Sequence, residues 1–101
     1  MNFIPVSNVR LQDPFWTKQF DLVKDVVLPY MWEILNDKVE NAEKSHCIEN
    51  FKIAAGKSEE RFYGAVFVDT DLYKWIEAVS YVLSAEKNET LEALRDRKSV
   101  V

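Results

Sequence analysis

Apolar side chains recur every three or four positions between residues 14 and 39, which predicts a long amphipathic helix. Asp13 followed by Pro14 predicts its start, with Asp13 as the N-cap and Pro14 as the first helical residue. Pro29 falls inside the pattern, and because proline removes a backbone donor, we expect a kink or a break there.

This predicted helix has two apolar faces. The first face comprises Trp16, Phe20, Val23, Val27, Tyr30 or Met31, and Ile34. The opposite face comprises Leu28, Trp32, Leu35 and Val39. A helix that is apolar on two sides normally lies between two other elements. We therefore expect these helices to carry more apolar surface than they can cover among themselves, with the stripe of Trp32 left over.

Three shorter patterns follow and predict an all-α chain. Residues 45–56 predict a short helix that Ser45 caps and that Gly56 ends in the left-handed conformation. Residues 57–68 predict a loop or short extended segment. Residues 71–85 predict a core helix, since apolar positions fill about half of its circumference. Asn88 or Thr90 opens a fourth helix, which we expect to be truncated where the chain turns to "KSVV".

Composition and charge limit the possible partners. The chain of 101 residues is at most one domain, and only 2 glycines and 3 prolines suit a helical protein better than a turn-rich one. Its 13 basic residues are scattered among 17 acidic ones, so no basic stripe predicts nucleic-acid binding. No apolar run approaches the roughly 18 residues of a membrane span, so no membrane partner is expected.

The cysteine content and the first residues predict the compartment. Cys47 is the single cysteine, which excludes an internal disulfide and argues against a cysteine-based metal site within the chain. The first residues show no basic segment followed by an apolar one, so no signal peptide is predicted. A cytoplasmic protein is expected.

Two aspartates next to the core helix are the candidate functional residues. Asp69 and Asp71, with Glu77 further along, lie beside several aromatic residues. A carboxylate pair can serve acid–base chemistry in glycosidases. Helix capping is the favoured interpretation, because capping aspartates are far commoner than catalytic ones. A sugar-contacting role for Asp69 and Asp71 remains open.

Two other groups of residues have both a structural and a functional interpretation. His46 and Cys47 are adjacent and diverge in a helix, so we expect a half-buried Cys47 and a surface or capping His46 instead of a catalytic pair. An aromatic cluster could stack on sugar rings, although core burial is favoured. It consists of Phe62, Tyr63, Phe67, Tyr73 and Trp75. No catalytic residue and no metal ligand is assigned.

Four stretches of the sequence resemble one enzyme family. They are "DPFW" at residues 13–16, "LPYMWEILND" at 28–37, "SHCIENFKIAAG" at 45–56 and "FYGAVFVDTDLYKWIEAVSYVLS" at 62–84. Together they are similar to the N-terminal part of glycoside hydrolase family 127, the β-L-arabinofuranosidase family, from about residue 9 to residue 97. The order of residues in the last stretch is not that of a generic helix.

The resemblance implies a fold and an activity for a larger protein. It implies that residues 1–101 are an incomplete N-terminal part of an (α/α)6 barrel, in an enzyme that hydrolyses β-L-arabinofuranosides with retention of configuration. In that family a zinc-bound cysteine thiolate is the nucleophile, with one Glu and three Cys as zinc ligands and a separate Glu as acid/base. Cys47 does not match the nucleophile's motif, so no catalytic role is carried over.

Two functional hypotheses follow. In the first, the full-length parent binds zinc and cleaves an oligosaccharide substrate, while this chain has no cofactor and is inactive alone. In the second, the chain is a small stand-alone helical module that self-associates, or binds a partner, through its uncovered apolar faces. Whether the chain itself is an enzyme is left open by its residues.

Overall fold

The computed structural model describes residues 2–96 and contains five α-helices in that range. They are α1 (Pro14–Leu22), α2 (Leu28–Leu35), α3 (Cys47–Ala54), α4 (Asp69–Ala85) and α5 (Glu89–Asp96). A short 3-10 helix, Val6–Asn8, precedes them. Residues 2–96 contain no strand, which confirms the all-α prediction for them. The terminal "KSVV" lies outside the described residues, and within them no helix has the length and apolarity needed to cross a membrane.

α1 and α2 form one continuous helix with a wider turn between them. Asp13 caps α1 as predicted, since its Oδ1 accepts hydrogen bonds from the N–H groups of Phe15 and Trp16 at 2.9 and 3.1 Å. Val23–Val27 is a π-helical turn, and the Leu28 N–H donates to the Val23 carbonyl. The proline that follows has no N–H and its ring would crowd the carbonyl four residues earlier. The helix therefore accommodates Pro29 by a widened turn before it and is not broken there.

The core lies around α4, which packs against α2, α3 and α5. Trp32 of α2 and Trp75 of α4 are buried with their ring centroids 4.7 Å apart. The Trp75 Nε1–H donates to the Leu28 carbonyl at 2.8 Å, so the polar atom of this buried ring is satisfied. The buried residues are Leu28, Trp32, Leu35, Cys47, Ile48, Leu72, Trp75, Val79, Val82 and Leu91.

The two apolar faces of the long helix have opposite surroundings. Leu28, Trp32 and Leu35, hereafter the inner face, are buried, with Trp32 at 5% exposure. The other stripe, hereafter the outer face, is exposed, with Trp16 at 58%. The outer face comprises Trp16, Val23, Val27, Tyr30 and Met31.

The prediction that the Trp32 stripe would be left over was therefore wrong. α4 has 17 residues, and its buried apolar side chains pack against the inner face. The residues of the inner face are therefore part of the core. Uncovered apolar surface is nevertheless present, and it lies on the outer face.

The remaining helix ends follow the sequence in part. Gly56 ends α3 with φ of 76° and donates its N–H to the Ile53 carbonyl, as predicted. Asn88 caps α5, since its Oδ1 accepts from the Leu91 N–H at 3.0 Å. The N-cap of α3 is His46 and not the predicted Ser45, although the Ser45 hydroxyl accepts from the Cys47 N–H at 3.2 Å.

Candidate functional site

The candidate residues gather at one end of the helical array. α2 and α4 run antiparallel. Lys24, which precedes α2, contacts Glu86, which follows α4, at 2.6 Å. At the other end Asp37, which follows α2, binds the N–H of His46, and the adjacent Cys47 contacts Val68, which precedes α4. At this second end α2 finishes, α3 and α4 begin, and two loops meet. We refer to residues 57–68, which lead into Asp69 and Asp71, as the aromatic loop.

Asp69 and Asp71 lie in the first turn of α4, but neither side chain caps the helix. The first-turn donors are satisfied by backbone instead, because the N–H groups of Thr70 and Asp71 both donate at 3.1 Å to the carbonyls three residues earlier. The prediction that Asp69 or Asp71 would accept the first N–H groups of α4 was therefore wrong. Both carboxylates lie at the positive end of the helix dipole, where negative charge is favoured.

The predicted aromatic cluster is divided between core and surface. Trp75 is buried, but the other members are between 52% and 66% exposed. These are Phe62, Tyr63, Phe67 and Tyr73. The core interpretation was wrong for these four, because the aromatic loop runs over the surface and three of them lie on it. Exposed aromatic rings next to two carboxylates are a combination that suits sugar binding.

An apolar cleft lies between α3 and the aromatic loop. Its volume is about 190 Å³, and its walls include Phe51, Phe62 and Val66, with Asp69 at the α4 side. Asp71, two residues further on, is exposed outside its walls. Complete small-molecule pockets are typically about 300–1,000 Å³ in volume. The cleft is therefore of a size to form one wall of a site.

Tyr73 borders the same region from α4. It makes an edge-to-face contact with Phe51, with ring centroids 6.0 Å apart. Partial desolvation raises the pKa of the Tyr73 hydroxyl, and the nearby Asp69 carboxylate adds to the rise. The phenol is therefore a hydrogen-bond donor at neutral pH.

Cys47 is fully buried, more than the half-burial predicted from the sequence. Its thiol donates to the Val68 carbonyl at 3.2 Å. Desolvation raises the pKa of Cys47 to about 11, and the carboxylates of Asp71, Asp69 and Asp37 add to this effect. The thiol is thus protonated at neutral pH, which is the opposite of what a cysteine nucleophile needs.

The described residues do not fit the zinc ion that the family resemblance implies. Residues 2–96 bring together no group of three or more His, Cys, Asp or Glu side chains that could hold a metal. Cys47, the one thiol among them, is enclosed and already donates a hydrogen bond. Residues 2–96 therefore do not form a zinc site by themselves.

A polar network around His46 was not predicted from the sequence. The ring Nδ1 lies 2.8 Å from Asn50 Oδ1, and Nε2 lies 3.2 Å from Glu60 Oε2. The hydrogen bond with Asn50 raises the pKa of His46, desolvation opposes this, and Glu60 and Asp37 favour the charged form. The spacing of His46 and Asn50 is a visible i, i+4 signal. Glu60 lies in a loop, so only the tertiary structure reveals it.

The end of α2 also contributes to this site. The Asp37 carboxylate accepts hydrogen bonds from the N–H groups of Ser45 and His46, at 2.6 and 3.0 Å. It thereby satisfies donors at the start of α3, a capping role taken by a residue from another element. Asp37 and His46 both have positive φ, 59° and 58°, so the connection between α2 and α3 has a left-handed backbone conformation at both of its ends.

Comparison with known proteins identifies relatives over most of the chain. A family model described as "Beta-L-arabinofuranosidase, GH127 catalytic domain" matches residues 8–99. A non-reducing end β-L-arabinofuranosidase of Bifidobacterium longum subsp. longum is 36% identical over 102 residues, which cover 89% of this chain and 16% of that protein.

A solved structure shows the same arrangement of helices. The crystal structure of a GH127 β-L-arabinofuranosidase from Geobacillus stearothermophilus T6 superposes with a TM-score of 0.84 and 53% sequence identity. The match covers 88% of this chain and 14% of that one. The chain thus spans about a sixth or less of the length of the relatives it matches.

Proposed function

The chain belongs to the glycoside hydrolase family 127 catalytic-domain family, and on that premise we propose that it forms the N-terminal helices of the (α/α)6 barrel of a β-L-arabinofuranosidase. The observation that carries the proposal is the 53% identity to a GH127 enzyme of known structure, combined with a TM-score of 0.84. The substrate of the whole enzyme would be a β-L-arabinofuranoside within an oligosaccharide.

Asp69 and Asp71 are proposed to contact the sugar. Carboxylates at a helix start can accept hydrogen bonds from sugar hydroxyls, and exposed rings of the aromatic loop can stack on the C–H faces of a sugar. Support comes from the position of Asp69 in the wall of the cleft and from the exposure of Asp71. The small volume of the cleft supports a role as one side of a site that further parts of the barrel complete.

Catalysis is proposed to reside in parts of the enzyme outside residues 2–96. The buried, protonated Cys47 supports this, because a thiol nucleophile needs a thiolate. Zinc, if the whole enzyme uses it, would then be bound by ligands from those same parts. Purified chain alone is expected to be inactive on an aryl β-L-arabinofuranoside, with or without added zinc and a thiol reductant.

A chimaera tests the proposal directly. The matching segment of the Geobacillus enzyme is replaced by residues 8–96 of this chain, and hydrolysis of an aryl β-L-arabinofuranoside is measured. Retained activity is expected, because the segment has the same fold and about half of the same residues. A folded but inactive chimaera would contradict the placement of the chain in that barrel.

Variants of the chimaera then test the sugar contacts. D69N and D71N are each expected to lower kcat/KM about tenfold to a hundredfold, which corresponds to one charge-assisted hydrogen bond of about 1.5–3 kcal/mol. Glu77→Gln on the exposed side of α4 is the matched control and should leave kcat/KM unchanged. An effect of E77Q as large as those of D69N and D71N would show that charge alone, and not contact, is responsible.

A second candidate function is self-association through the outer face. Its specific support is the exposure of Trp16 and Tyr30, at 58% and 51%, on one stripe of a continuous helix. Large apolar side chains that share one exposed stripe are typical of an interaction surface. A monodisperse dimer in sedimentation, with a cooperative thermal transition, would support this function. A folded monomer would instead favour an outer face that other parts of the proposed barrel cover.

A further inference from the structure

The aromatic loop is attached to α3 by side chains and not by regular secondary structure. Asn50 forms two hydrogen bonds with the backbone of Tyr63, to its carbonyl at 2.8 Å and from its N–H at 3.2 Å. The Ser58 hydroxyl donates to Glu49 at 2.5 Å, and Glu60 approaches the His46 ring. These contacts determine where the exposed rings of the loop are held.

The His46 ring lies between two hydrogen-bond acceptors. Because the Asn50 amide nitrogen donates to the Tyr63 carbonyl, the Asn50 oxygen is the atom that faces His46 Nδ1, at 2.8 Å. That oxygen can only accept, so Nδ1 carries a proton. On the other side, Nε2 faces a carboxylate oxygen of Glu60, which also accepts. A neutral imidazole has one N–H, and only the imidazolium can donate to both partners.

We propose that protonated His46 is a pH-dependent clasp that holds the aromatic loop against the start of α3. In the charged form, one ring nitrogen holds Asn50, which in turn holds Tyr63, while the other nitrogen holds Glu60. When the ring loses a proton, Nδ1–H stays with Asn50 and the Nε2 lone pair faces the Glu60 carboxylate. The contact with Glu60 then becomes repulsive, and the Glu60 side chain is released from the ring, while Ser58 and Tyr63 keep their hydrogen bonds to Glu49 and Asn50.

The charges around His46 favour the clasped form. His46 lines a second, polar cleft, separate from the apolar one, together with four charged residues. Asp37 faces His46 from the end of α2, Glu60 from the aromatic loop, and Glu49 and Lys52 from α3. Three of these four are acidic, and Asp37 and Glu60 both raise the pKa of His46. A raised pKa in the folded state means that the clasp is closed at low pH and opens as the pH rises through that value.

The surrounding geometry gives the clasp a firm base. The His46 backbone N–H is bound by the Asp37 carboxylate, and its φ of 58° places it in the turn that starts α3. The Tyr63 ring packs edge-to-face on the imidazole, with centroids 5.7 Å apart. Of the two hydrogen-bond partners of the ring, Glu60 is the exposed one, so its side chain can leave when the ring becomes neutral. The clasp involves only residues of this chain, so the proposal does not depend on whether the apolar cleft binds a sugar.

A proton NMR titration of the 101-residue chain tests the clasp. His46 is the only histidine, so its C2–H signal needs no assignment by mutation. Its pKa is measured in the wild type, in E60Q and in E59Q, where Glu59 is an exposed neighbouring carboxylate that serves as the matched control. Amide signals of Glu60 and Tyr63 are followed in the same titration to report on the loop.

The expected result is a downward shift of the His46 pKa in E60Q and little change in E59Q. In the wild type, the amide signals of Glu60 and Tyr63 should move with the same midpoint as the C2–H signal, and this movement should be lost in E60Q. Equal pKa values in E60Q and E59Q would overturn the clasp. So would a wild-type His46 that titrates at the ordinary value of histidine, or loop amides that do not follow its protonation.

Discussion

The inner and outer faces of the helix formed by α1 and α2 are both apolar in sequence but differ in what covers them. On the inner face, Trp32 packs against Trp75 of α4, with the two rings tilted by 35°, and is 5% exposed. On the outer face, Trp16 is 58% exposed. The difference arises because α4 is long enough to cover one face and no described helix covers the other. Periodicity thus identifies a face that requires a partner, and tertiary packing decides which face obtains one.

Truncation of the inner face should have the largest effect. W75A removes a buried ring and its hydrogen bond to the Leu28 carbonyl, so it should lower the free energy of unfolding by about 3–5 kcal/mol. Urea unfolding measures the change, and W16A is the control on the outer face. A loss in W16A as large as that in W75A would remove the distinction between the two faces.

Substitution of Asp37, which follows the inner face at the end of α2, should have a smaller effect on the free energy of unfolding. D37A removes the carboxylate that accepts the N–H groups of Ser45 and His46, and should cost about 1–2 kcal/mol of stability. D37N keeps one acceptor oxygen and a residue that tolerates positive φ, so its cost should be smaller. If both variants unfold at the wild-type urea concentration, the Asp37 carboxylate does not anchor the start of α3.

The pH dependence of stability should be smaller still. The pKa of His46 is raised in the folded chain, so its contribution is full below the unfolded pKa and is lost as the pH rises through the folded value. The difference in urea midpoint between wild type and H46Q should therefore shrink with increasing pH. A difference that stays constant, or grows, would contradict the clasp while leaving the comparison of the two faces intact.

Polar substitution on the outer face should have the smallest effect on stability. W16Q and Y30Q replace exposed rings and should each change the free energy of unfolding by no more than about 0.5 kcal/mol. If the outer face mediates self-association, the same variants should shift sedimentation toward the monomer. Destabilisation by more than about 1 kcal/mol would show that these rings are covered in solution.

Much of the local structure could be predicted because it depends on neighbouring residues. Asp13 and Asn88 cap their helices, Gly56 ends α3, and the apolar spacing locates the core of α4. The burial of the Trp32 stripe could not be predicted, because α4 lies some forty residues away in sequence. The family could be recognised from the motifs around the core helix, and the comparisons confirmed it.

The candidate site was harder to predict for the same physical reason. Asp69 and Asp71 were expected to cap α4, but backbone carbonyls already satisfy the donors of its first turn. The contact of His46 with Glu60 depends on how the aromatic loop folds back. The sugar-contacting role of Asp69 and Asp71 and the cytoplasmic location remain predictions.

Hydroxyl-radical footprinting of the tryptophans tests the central claim that the outer face awaits cover from the rest of a barrel. In the chain alone, Trp16 should be oxidised rapidly while Trp32 and Trp75 are protected. In the chimaera with the remainder of the Geobacillus enzyme, Trp16 should become protected as well. Oxidation of Trp16 at the same rate in both proteins, or rapid oxidation of Trp32 in the chain alone, would contradict the account.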